Sequence, residues 1–173
     1  MDDQTAGASL TPGAQLLVQN ALSKRQSNQA HLGVHHWLLA LVEGQYMKDL
    51  FGEMANARDD IPAHYLMMGS ATVQVFILPW GDKETVINCR AYVVTGAERT
   101  PEMLEYLLRE NYDMRFGAFG LDKEGAITFE QNIIGSTCDK NELKASVMAV
   151  LGTADKYDDE IVARWGGKRS SDR

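Results

Sequence analysis

Three histidines, His31, His35 and His36, are the first residues in the chain whose type and spacing could do chemistry. His31 and His35 are four apart, which on a helix stacks two imidazoles on one face where they can hold zinc. His31, however, precedes the expected start of its helix, and no glutamate lies between the two as a zinc protease would require. They read as structural histidines, and His64 reads as a lone loop residue. Asp155, Asp158, Asp159 and Glu160 could attract a cation, but consecutive acids on a helix point in different directions and no EF-hand loop surrounds them. A solvated helix face is the better reading, and Asp59-Asp60 suits a turn. Cys89 and Cys138 form neither a CxxC pair nor a disulfide framework and read as small buried apolar residues. A nucleophile elbow, a phosphate loop and a dinucleotide glycine pattern are absent. Gly117-Ala118-Phe119-Gly120 falls in an expected strand and is no substitute. The chain is therefore not expected to be an enzyme, and no catalytic residue, metal ligand or cofactor is assigned.

The chemistry that remains is adhesive. Met47, Met54, Met67 and Met68, together with Tyr65, Leu66 and Phe76, fall around the junction between a helical and a β-rich part of the chain. Flexible, polarisable methionines adapt to varied partners. The equal alternative is that these side chains cement helices onto a sheet. With Trp37 and Tyr46 added, the candidate protein-binding residues are Trp37, Tyr46, Met47, Met54, Tyr65, Met67, Met68 and Phe76.

The elements that position these residues follow from capping and periodicity. Thr11 caps and Pro12 opens a helix carrying Leu16, Leu17, Ala21 and Leu22, with Lys24 and Arg25 in its last turn. A nearly all-apolar helix over Val34–Glu43 follows, then an amphipathic one from Gln45 to about Ala57. From Ala71 the period changes, and β-branched runs at 72–78 and 85–94 predict two strands. Thr100-Pro101 opens a helix with Met103, Leu104, Leu107 and Leu108 on its inner face. Met114–Leu121 and Ala126–Ile134 predict a hairpin around Asp122-Lys123-Glu124-Gly125. Asp139 and Glu142 start a long helix that Gly166-Gly167 stops. The order, three helices and then β-β-α-β-β-α, predicts an α+β fold in which helices cover an antiparallel sheet. Its expected divisions are a disordered tail at 1–8, a helical part at 9–57, a linker at 58–71, the α+β domain at 72–167 and a polar tail at 168–173.

Composition agrees with that architecture. A chain of 173 residues with 45% hydrophobic and 24% charged content is of the globular kind, one compact domain with at most a small appendage. Acidic residues outnumber basic ones, 24 to 17, which argues against nucleic acid, a partner that needs clustered Lys and Arg. Apolar runs stop well short of the ~20 residues of a membrane helix. Met1–Ser9 has neither the basic start nor the apolar stretch of a secretory signal, so a cytoplasmic location is expected.

Two resemblances refine this. The set Leu107-Leu108-Arg109-Glu110-Asn111, Arg115-Phe116-Gly117-Ala118-Phe119-Gly120-Leu121-Asp122, Gly125-Ala126-Ile127, Glu142-Leu143, Ala154-Asp155-Lys156-Tyr157-Asp158 and Gly166-Gly167 is similar to the YbjN family, whose relatives include the type III secretion chaperones. The likeness spans about residues 72–167 and is nearest to the cyanobacterial-type members of these bacterial families. It implies a secretion-chaperone-like fold and a peptide- or protein-binding surface, often in a homodimer, and implies no catalytic residues. Leu10-Thr11-Pro12, Ala14, Ala21 and Gly33-Val34-His35-His36-Trp37-Leu38-Leu39-Ala40-Leu41 resemble one repeat of the Clp ATPase amino-terminal domain, over about residues 9–57. That domain pairs two such repeats to recruit substrates, so one chain here carries half of the arrangement and two chains could complete it. The expected function is that of a chaperone- or adaptor-like protein, binding another protein or peptide as a homodimer. The alternatives are a structural subunit of a larger assembly, docking through its helical part, and a small-molecule sensor or enzyme built on a deep polar pocket.

Overall fold

The computed structural model describes residues 45–51 and 63–172. Residues 45–51 are helical. The helices expected before them, with Trp37 and most of the Clp-like segment, lie outside the described residues, as does Met54.

Strand β1, Ala63–Met68, begins the sheet. It occupies the second half of the segment 58–71 expected as a linker, because His64-Tyr65-Leu66-Met67 is a short continuous apolar run whose period cannot be told from a loop or helix fragment. Gly69, at φ +61, makes the two-residue turn into β2, Ala71–Trp80. The side chains of β2 alternate strictly between buried and half-buried over Ala71–Leu78, so one face of the sheet meets a core and the other does not. Gly81 turns the chain into β3, Glu84–Thr95. Helix α1, Pro101–Asp113, starts as its sequence dictates, with Thr100 accepting from the Met103 N–H at 3.2 Å and proline at the first helical position.

Strand β4, Ala118–Leu121, is shorter than expected at its start, because Gly117 at φ +74 breaks the extended backbone. The turn to β5, Ile127–Ile134, is the anticipated one: Asp122 Oδ1 accepts from the Ala126 N–H at 2.7 Å, and Gly125 adopts φ +85. Helix α2, Lys140–Trp165, is capped by Asp139, which accepts from Glu142 N–H at 2.8 Å, and ends at Gly166 with φ +69. The expected polar tail is tied down. Lys168–Arg169 forms a two-residue strand, β6, on β3, and the Arg169 guanidinium bonds Asp159 at 2.8 Å and Asp172 at 3.0 Å.

The sheet is antiparallel, in the order β1-β2-β3-β5-β4 with β6 beside β3, and with helices on it the fold is α+β. On the inner face Val73, Val75, Ile87, Cys89, Ala91 and Phe129 pack with Leu143, Val147, Val150, Leu151, Ala154 and Ile161 of α2. Met47 joins them, and Lys140 at the start of α2 pairs with Asp49. Both cysteines are buried and free, and burial pushes the Cys89 thiol up to about 12, so it is an inert packing group. Among the described residues no helix is long and apolar enough to cross a membrane.

Candidate functional site

Cross-strand register places side chains in rows on the outer face, since residues directly opposite one another share a face. One row is aliphatic, Leu78-Val86-Ile134. The next is Ala63-Phe76-Asn88-Asn132, and the one after it is Tyr65-Gln74-Arg90-Glu130-Ala118. Met67 stands opposite Thr72 beyond them. The structure therefore brings three of the predicted residues, Tyr65, Met67 and Phe76, to one side of the β1-β2 hairpin. Tyr65 and Phe76 are half-buried, whereas Met67 is 73% exposed. Met47 is fully buried in the core, and Tyr46 packs half-buried against it with Lys140 above its ring. These two side chains do what the cementing alternative describes. The backbone of Met68 pairs with Ala71.

At the centre of the outer face lies a polar group that sequence reasoning missed. Asn88, only 3% exposed, donates to Glu130 Oε2 at 3.0 Å and Asn132 Oδ1 at 2.9 Å, and Arg90 bonds the same Glu130 oxygen at 2.9 Å. Burial alone would raise the Glu130 carboxyl, but hydrogen bonds from Arg90 and Asn88 outweigh it and hold the group below the usual carboxylate range. A depressed folded-state value means stability present above the ordinary carboxylate range and lost as pH falls through the folded value. Glu130→Gln should therefore lower stability by about 1–2 kcal/mol near neutral pH. In urea titrations its gap to wild type should close below about pH 4. A gap constant from neutral pH to about pH 3 would show that the charge contributes nothing.

The predicted acidic cluster turns out to be bonded rather than merely solvated. Ser70 Oγ lies 2.9 Å from Asp155 Oδ1 and 2.7 Å from Asp158 Oδ2, fastening the β1-β2 turn to α2, and Asp158 is 2% exposed. Asp159 pairs with Arg169, and Glu160 with Arg164 at 2.9 Å. Among the described residues no three His, Cys, Asp or Glu side chains converge as a metal site would need. His64 is half-buried in β1, its pKa lowered by burial and then by Lys48. His31, His35 and His36 lie outside the described residues.

A second surface belongs to α1. Of the four apolar residues expected on its inner face, Met103 and Leu107 are buried, but Leu104 and Leu108 are 40% and 69% exposed. Adjacent apolar pairs four residues apart make a stripe too broad for one contact, and the stripe continues outward through Tyr112, 90% exposed, to Phe116 after the helix. The spacing of Tyr112 from Leu108 was the available signal. Behind the stripe, Glu110, Asp113, Met114, Met148, Gly152 and Lys156 line a groove between α1 and α2. At its floor the Tyr157 hydroxyl donates to Glu110 Oε2 at 2.5 Å.

Among the described residues, a sheet edge with no further strand, a half-buried apolar face and an exposed helix stripe are adhesive features, and comparison with known proteins agrees. No curated protein matches the chain by sequence. Among solved structures, the crystal structure of the ExsC–ExsE complex contains a similar chain. Its TM-score is 0.55 at 12% identity, and the match covers 71% of this chain and 92% of that one, a likeness of fold. Residues 36–173 match the family described as T3SS (YopN, CesT) and YbjN peptide-binding chaperone 1. The chain belongs to this family of peptide-binding chaperones, TY-Chap1.

Proposed function

We propose that the chain holds an extended segment of a client protein along β1 and the adjoining outer face, without catalysis, as a homodimer joined through α1. The observation that carries the reading is the edge strand itself. Six residues, Ala-His-Tyr-Leu-Met-Met, contain no lysine, glutamate or proline, the usual devices that blunt an edge. Among the described residues no strand pairs with their outer side. An added peptide strand would take up the free N–H and C=O groups, while alternate side chains rest near Tyr65, Met67 and Phe76. Trp37, Met54 and Met68 stay candidates for client contact on their residue types alone. In the dimer, two single Clp-type repeats, one per chain, would complete the pair that family normally carries in one chain. A cytoplasmic setting suits such a chaperone.

The test is to select binders from a random dodecapeptide display library on the pure protein and to follow backbone hydrogen exchange. A selected peptide should slow exchange at residues 63–68. A peptide that binds and leaves those amides unchanged would remove β1 as the site.

A further inference from the structure

Two polar atoms on the outer face have no hydrogen-bond partner among the described residues although both are shielded from solvent: Asn88 Oδ1, an acceptor, and Arg90 Nε, a donor. Such groups are rarely left unmade in a folded chain, because each has given up water and gained nothing. Hydrogen bonds within the cluster fix their positions. Glu130 accepts from Asn88, from Arg90 and, at 3.3 Å, from Thr128, and Asn132 accepts the second contact of the Asn88 amide. The Asn88 side chain is thereby locked with its nitrogen committed and its oxygen free. Arg90 is held by one terminal nitrogen with its Nε–H unused.

Asn88 and Arg90 are two apart on β3, so both rise from the same face. An unused acceptor and an unused donor two residues apart on one strand suit a group that offers an N–H and a C=O together, and a carboxamide is the side chain that does so. A carboxylate would bring only acceptors and an ammonium only donors, leaving one of the two atoms unsatisfied. The geometry points to a subsite for a client asparagine or glutamine side chain, whose N–H donates to Asn88 Oδ1 while its carbonyl oxygen accepts from Arg90 Nε. The side chains directly across on β2, Phe76 and Gln74, are half-buried and would have to turn aside to admit it. The aliphatic row Leu78-Val86-Ile134 lies one step beyond, so the amide has an apolar neighbour on the client at fixed spacing. This rests on the peptide-binding reading above and adds to it a sequence preference.

The same dodecapeptide selection decides it, run on wild type, on Arg90→Lys and on Asn88→Leu. Arg90→Lys keeps the charge beside Glu130 and removes the Nε donor, so it tests the subsite even where Asn88→Leu folds poorly. Wild type should enrich Asn or Gln at one fixed position among apolar neighbours. Resynthesised peptides with Leu or Glu at that position should bind about tenfold more weakly. Arg90→Lys should abolish the amide preference and leave the apolar preference. Apolar enrichment with no amide position would mean that bound water satisfies the two atoms; the peptide-binding reading then stands and the amide subsite falls. Selection that enriches no sequence at all would overturn both.

Discussion

Gly117→Val should cost the fold about 3–5 kcal/mol, enough to leave little of a small domain's stability. Two effects add. Gly117 sits at φ +74, where a residue with a side chain carries a penalty of about 1–2 kcal/mol and a β-branched one more. An added Cβ would also stand 2.7 Å from Phe129 Cε1, 2.8 Å from Phe129 Cζ and 2.8 Å from the Glu130 carbonyl oxygen. None of these can give way readily. Phe129 is fully buried with Phe119 edge-on at 5.1 Å, and Phe119 in turn meets Tyr157 at 5.2 Å, so a displaced ring pushes on the long helix. The carbonyl belongs to β5. Overpacking of this kind adds about 1–3 kcal/mol. Gly152→Ala is the control: a Cβ there meets nothing within 4 Å, and helix α2 should gain about 0.5–1 kcal/mol. Urea unfolding of the three proteins gives the values. A Gly117→Val protein as stable as wild type would mean that the β4 approach is not as tight as drawn.

Gly117 also marks how far the sequence reaches. The pattern around Gly117 predicted a strand over Met114–Leu121, and β4 lies within that span. It did not foretell that Gly117 lies outside the strand or that Phe116 faces solvent at 62% exposure, because only the partner strand decides where pairing begins. Local signals were legible for the same reason in reverse: Thr100-Pro101, Asp139 with Glu142, and Asp122 to Gly125 each act within a few residues. The α+β order followed from them. What depended on distant partners was lost. Lys168-Arg169 became a strand only because β3 offered an edge and Asp159 a charge. The polar cluster on the outer face joins Asn88 and Arg90 to Glu130 and Asn132 across forty residues or more, and no spacing rule connects them. Tyr65, Met67 and Phe76 could be picked out as sticky residues, but their common face exists only through the pairing of β1 with β2.

Leu108→Glu should convert a dimer into a monomer while leaving the fold intact. Leu104, Leu108 and Tyr112 are spaced four apart, so their exposed stripe is symmetric about Leu108. In the proposed dimer a two-fold axis there would lay one helix antiparallel on its copy, with Leu108 against itself and Leu104 of each chain against Tyr112 of the other, a self-complementary contact of the kind closed dimers use. The charges fit a second copy as well. Glu105 and Arg109 are ion-paired at 2.5 Å beside the stripe, so each face carries both signs and meets its own complement when rotated. An unrelated partner would more readily select a stripe flanked by one sign. Leu108 is 69% exposed in the free chain, so a glutamate costs the monomer little, within about 0.5 kcal/mol. At the centre of an interface the same change buries two facing carboxylates and should weaken association at least about 100-fold. Sedimentation equilibrium at micromolar concentration should find wild type dimeric and Leu108→Glu monomeric, with circular dichroism unchanged between them. Met67→Glu, at the other side of the sheet, should leave the dimer as it is. A monomeric wild type, or a variant that still dimerises, would take α1 out of the assembly and leave its stripe free for the client.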